Sequence, residues 1–187
     1  MSGSMGRVKS AYDRRKHMNV DEEDYGTEFK HEDRNGWENE VGSPDGILKT
    51  EAGPFGPNTY WSGKLEWRPP HIFQPSLYKV LNLPVGEKEK GSLFVSIKYR
   101  VHPPEPGDSP AIALVITKNI SESSSTTWIE ANTPTGEWRQ TGDALLRYSG
   151  SRAHILIGTN YGDGPGVSRK IDIDDIKVVR VPDDPDE

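Results

Sequence analysis

The chain has 187 residues, a formal net charge of −6, abundant Gly (19) and Pro (15), and no Cys. The missing cysteine excludes disulfides and thiolate metal sites, and the negative balance gives no global attraction to nucleic acid. No apolar run approaches the roughly 20 residues of a membrane helix, so no membrane partner is expected.

Residues 1–36 read as an extended, charged arm. Arg7, Lys9, Arg14, Arg15 and Lys16 form a basic head, and Asp21 to Asp33 an acidic second half, with almost no aliphatic side chains between them. Such a segment cannot bury enough apolar area to offset its ordering entropy alone. It reads either as a solvated leader or as an arm that docks to a partner, with Tyr12, Tyr25 and Phe29 as anchors and Arg7, Arg14 and Arg15 setting register.

From Trp37 the pattern becomes strand after strand. Strands are predicted at 46–49, 60–67, 77–83, 93–101, 111–118, 126–130, 138–141, 144–148 and 152–159. The run from Leu93 to Val101 is the clearest, with apolar residues at every odd position. Ala111 to Lys118 is apolar on both parities, which predicts an interior strand. The last segment, Arg169 to Arg180, alternates with Ile171 and Ile173 on one parity and Ile176 and Val178 on the other. That phase flip at Asp174-Asp175 predicts a β-bulge that returns the later side chains to the core. Short strands without a helix predict an all-β, antiparallel jelly-roll sandwich of about 8–10 strands over residues 37–181, with an acidic tail at 182–187.

Three stretches carry a family resemblance. Val85-Gly86-Glu87 with the strand from Ser92 to Val101, Thr135-Gly136-Glu137-Trp138-Arg139-Gln140, and Ile171-Asp172-Ile173-Asp174-Asp175-Ile176-Lys177-Val178 resemble successive steps of the carbohydrate-binding modules that accompany xylanases and glucanases. The resemblance covers Trp37 to Val181 and implies a jelly roll; its motifs mark strand and turn geometry rather than ligand. It places Trp138 in the core. It also implies a structural calcium near the last strand, for which Asp172, Asp174 and Asp163 are the candidate ligands. One acidic strand supplies only two or three of the six to eight oxygens calcium takes, and Asp174-Asp175 bonding its own backbone at a bulge is the alternative.

Sugar binding would use aromatic faces beside polar groups. Trp128, after a Ser-rich run, is the candidate platform, with Tyr99, Arg100, Arg147 and Tyr161 as polar companions. No catalytic constellation appears: the five His have no metal-ligand spacing, and Asp/Glu pairs occur in any sandwich of this charge. The chain is therefore expected not to be an enzyme. The leading expectation is a structural or adhesion subunit of a phage or virus particle, docked by its arm, forming a homo-oligomer and located in the virion. The alternative is a free-standing carbohydrate-binding module with a glycan partner. A third reading is an inactive fragment of a glycoside hydrolase. The basic N-terminus lacks the apolar stretch of a secretory signal, so the expected location outside a particle is cytoplasmic.

Overall fold

The computed structural model describes residues 23–86, 89–109, 111–119, 125–160 and 167–183. Strands β1 (Glu23–Asp24), β2 (Glu38–Asn39), β3 (Ile47–Gly53), β4 (Gly56–Trp67), β5 (Gln74–Asn82) and β6 (Lys90–Val101) make up the first half. β7 (Ile112–Thr117), β8 (Ser125–Ile129), β9 (Trp138–Gln140), β10 (Ala144–Ser149), β11 (Arg152–Thr159) and β12 (Val167–Pro182) follow. A seven-stranded sheet runs β10-β6-β12-β4-β3, with β1 on β12 and β9 on β6; a five-stranded sheet runs β2-β5-β11-β7-β8. All pairings are antiparallel, so the chain is an all-β sandwich of two antiparallel sheets. β7 is flanked on both sides, as its two-sided apolar character requires.

Period-2 alternation builds the core. Leu93, Val95, Ile97 and Val101 of β6 meet Ile155 and Ile157 of β11 and Ile112, Leu114 and Ile116 of β7 in one buried cluster. Trp61 is fully buried, and its indole leaves no room for a side chain at Gly46, where an added Cβ would lie 2.6 Å from the ring. Its Nε1 donates to Asn39 Oδ1 at 2.9 Å, which also accepts from Arg34 Nη1 at 2.8 Å.

The predicted bulge is present. β12 pairs β6 with a register shift between Asp174 and Lys177, and Asp175 takes φ +41°. Ile173 before the bulge and Ile176 and Val178 after it all enter the core. The bulge also changes β12's second neighbour. From Val167 to Ile173 that neighbour is β4; at Val179 and Arg180 it is β1.

The boundary expected at Trp37 therefore moves. Tyr25 and Thr27 donate backbone N–H groups to Val178 and Ile176, and Trp37 Nε1 donates to Thr27 Oγ1 at 3.1 Å. Phe29 is fully buried in the core, and Tyr25 packs against it. These two aromatics, expected to dock a partner, are anchors of the sandwich itself, because β12 offers them an open edge once it leaves β4. Arg7, Tyr12, Arg14 and Arg15 lie outside the described residues. At the other end, Val181 still pairs with Ser92, and Asp183 bonds Lys90 through its backbone.

One core position breaks the pattern. Arg169, on the inward parity of β12, is fully buried; its Nε donates to the His102 carbonyl at 3.1 Å, but Nη1 and Nη2 have no partner among the described residues. Burial lowers its pKa, opposed by the nearby Asp108 charge. Arg169→Met is expected to stabilise the fold by about 1–3 kcal/mol, since two buried donors go unpaired. Phe29→Ala should cost about 3–5 kcal/mol, the range for emptying an aromatic core site. Urea denaturation of both variants measures each shift; an unchanged midpoint for Phe29→Ala would show that the strap of chain from β1 to Phe29 is not part of the folded unit.

Candidate functional site: a charged aromatic trough

The outer face of the seven-stranded sheet collects residues from both of its edges. Arg100 on β6 stands in register with Asp172 on β12 and Trp138 on β9, while Tyr60 lies in register with Lys49 on β3. β9 and β3 are four strand spacings apart in sheet order, about 19 Å if the sheet were flat. Yet Trp138 Nε1 lies 3.3 Å from Glu51 Oε1. The sheet must curl towards this face, so its outer surface is a trough.

Arg100 sits in its middle. Its guanidinium carbon lies 4.7 Å from the Tyr60 ring centroid and 4.5 Å from that of Trp138, and the two rings meet edge to face at 5.5 Å and 76°. Nη1 donates to both Glu51 oxygens at 2.9 Å, and Nε to Asp172 Oδ2 at 2.9 Å. Burial works against its charge, but the bonds to Asp172 and Glu51 outweigh it and raise its pKa above the ordinary value. Burial, helped by the charges of Asp172 and Glu51, raises the pKa of the Tyr60 phenol, keeping it protonated at neutral pH. His102 Nε2 approaches Asp172 Oδ2 at 2.8 Å without hydrogen-bond alignment, and Asp172 Oδ1, fully buried, has no partner among the described residues. The result is a rigid floor: two aromatic rings held at a fixed angle by a cation that two carboxylates hold in turn.

The proposed sugar-contacting residues are scattered. Only Arg100 lies in the trough. Tyr99, its neighbour in sequence, is in register with Ile173 and 5% exposed, because adjacent residues of a strand face opposite ways. Arg147 is on the outer side of β10, bonded to Asp183 at 2.9 Å. Trp128 pairs with Ala113 on the outer face of the five-stranded sheet, 49% exposed. Tyr161 lies outside the described residues. Trp138, expected in the core, is only partly buried and stands in the trough. Tyr60 and Glu51 were not anticipated; the even parity of Tyr60 against Trp61 and Leu65 is the signal that points it outward.

The calcium set fares similarly. Asp172 is neutralised by Arg100, and Asp174 accepts from Asn58 Nδ2 at 2.9 Å and from the Asp175 N–H at 2.8 Å. Lys98 pairs with Asp175, and Asp163 lies outside the described residues. Among the described residues no group of three or more His, Asp or Glu could hold a metal, so the described residues do not fit calcium.

Comparison with known proteins gives the fold a context. No family model matches the chain, and no curated protein does. Several solved structures are similar. One is the sugar-binding C-terminal domain of EclA, with 15% identity, TM-score 0.42, and 81% of this chain and 96% of that one covered. Another is CBM27-1 of Caldicellulosiruptor saccharolyticus in complex with mannohexaose, with 9% identity, TM-score 0.49, and coverage of 83% and 96%. A third is a carbohydrate-binding module of the β-sandwich superfamily, with 14% identity and TM-score 0.42; here 80% of this chain spans 59% of the other.

Asp174 gives the trough's rim a pH signature. Burial raises its carboxyl above the ordinary 3.8, against the bonds from Asn58 and Asp175. The folded state thus holds this proton more tightly than the unfolded one. The associated stability is fully present below 3.8 and is lost as pH rises through the raised folded value. Asp174→Asn should flatten the stability curve across that window; a denaturation series at stepped pH that leaves the slope of the parent unchanged would exclude this assignment.

Proposed function

We propose that this protein is a non-catalytic glycan-binding sandwich that lays a sugar chain along the trough of its seven-stranded sheet. The Tyr60–Arg100–Trp138 stack carries the reading. A pyranose presents an apolar C–H face and a rim of hydroxyls. Trp138, partly exposed, offers the matching aromatic face. Glu51, whose side chain is 33% exposed, offers a hydrogen-bond acceptor at its border. Because Arg100 fixes both rings before any ligand arrives, little ordering cost remains at binding.

A particle subunit fastened by its arm has less support. That reading needed Tyr25 and Phe29 as docking anchors, and both are engaged in the protein's own core. Trp128 remains a rival platform, since its indole is half-exposed on the opposite sheet.

Affinity electrophoresis against a panel of plant and microbial polysaccharides tests the assignment. Trp138→Ala should weaken retention by about thirtyfold, the effect of removing an interface anchor worth roughly 2 kcal/mol, while Trp128→Ala leaves it unchanged. The opposite pattern would move the site to the five-stranded sheet. If no polysaccharide retards the parent chain, the proposal fails.

A further inference from the structure

Strand β3 is the outer edge of the seven-stranded sheet, and among the described residues β4 is its one partner strand. It is seven residues long, unbulged and without Pro, so it carries few of the devices that keep an edge from pairing with another chain. Which of its backbone groups are free follows from β4. Pro57, opposite Ala52, has no N–H to give, so Ala52–Pro57 is a non-hydrogen-bonded pair. By alternation, so are Thr50–Thr59 and Leu48–Trp61. Side chains of such pairs stand close, and the Thr50 and Thr59 hydroxyls meet at 3.0 Å. The N–H and C=O groups of Leu48, Thr50 and Ala52 therefore point away from the sheet. We infer that β3 pairs edge to edge with β3 of a second copy of this chain, antiparallel and centred on Thr50, in a symmetric dimer with one continuous sheet.

Charge fixes the register. With Thr50 on the symmetry axis, Leu48 faces Ala52 of the second copy and Lys49 faces its Glu51, as an isologous contact requires. Bonds exchanged at Thr50 and between Leu48 and Ala52 then use every outward N–H and C=O of the strand. Sliding one copy by two residues keeps that bonding pattern but sets Lys49 against Lys49 or Glu51 against Glu51, and like charges directly opposite are destabilising. Lys49 is exposed and makes no ion pair among the described residues, so its charge is open to a partner. Glu51 already accepts from Arg100, yet its side chain is 33% exposed and a carboxylate has about four acceptor sites. The apolar groups agree. Phe55, at the turn between β3 and β4, is fully exposed, and Ile47, at the far end of β3, is 52% exposed. The symmetric pairing sets Ile47 opposite Gly53 of the second copy, within diagonal reach of that copy's Phe55, and does so at both ends. The axis stands perpendicular to the sheet, so both troughs open on the same side and a polysaccharide meets two sites at once. That consequence rests on the trough being the glycan site; the pairing itself does not.

The chain has no Cys, so single introduced cysteines report the register. Thr50→Cys should form a disulfide-linked dimer under mild oxidation, because the paired Cα atoms stand about 5.5 Å apart. Ala52→Cys should not, because the residue opposite it is Leu48 and its own counterpart lies roughly 14 Å along the strand. Sedimentation velocity of the full chain should show a monomer–dimer equilibrium in the micromolar range, as suits a small interface built on main-chain bonds. Thr50→Pro removes the central N–H and Lys49→Glu sets like charges opposite; each should weaken association about tenfold or more. Lys49→Glu leaves the backbone untouched and decides the matter if the Pro variant does not fold. A monomer at every concentration, equal crosslinking at the two cysteines, or a dimer indifferent to both substitutions overturns the proposal. So does a monomer whose Leu48, Thr50 and Ala52 amides resist hydrogen exchange, since another part of the same chain would then cover the edge. None of these readouts uses a sugar, so a failure of the pairing and a failure of the glycan reading are told apart.

Discussion

The bulge at Asp174-Asp175 is the constraint on which the rest of the structure depends. β12 is the longest strand among the described residues and pairs with β6 on both sides of the bulge, from Ile171 to Pro182. Without the extra residue, Ile176 and Val178 would turn outward as soon as Ile171 and Ile173 had turned inward. With it, both halves feed one core. The bulge also bends β12 away from β4, and the vacated edge is filled by the strap from β1 to Phe29. An unfilled edge would expose a row of unpaired N–H and C=O groups. The strap is thus a consequence of the bulge, and Asn58, Asp174 and Lys98 hold the corner where the two features meet.

The trough follows from the same geometry. A strong local twist at the bulge lets the sheet curl, and only a curled sheet brings Glu51 of one edge to Trp138 of the other. Partly buried charges normally cost desolvation energy that their mutual attraction recovers only with good geometry. Arg100 has that geometry: three carboxylate oxygens accept from it, and two ring faces flank it. The two carboxylates are matched by the Arg100 guanidinium and by Lys49 on the same face. A ligand for such a surface gains little from net charge and much from stacking and directed hydrogen bonds.

Much of the fold was legible in the sequence, because alternation with period 2 is a local property. All strands from β3 onward lie where the pattern puts them, within a few residues, and the bulge is visible as a change of phase. What escaped was non-local. β1 and β2 are two residues each, too short to alternate, and exist only because β12 and β5 present free edges to them. Phe29 gives no periodic signal at all. The site was harder still. Trp138 belongs to a three-residue strand, whose parity is undetermined until it is paired with Arg100. Tyr99 and Arg100, adjacent in sequence, could not both serve one face, and only the inward set of β6 decides which one does.

Charge is partitioned over this molecule in a way that composition hides. In the trough Arg100 is held between Glu51 and Asp172, and at the bulge corner Lys98 and Lys30 pair with Asp175 and Glu28.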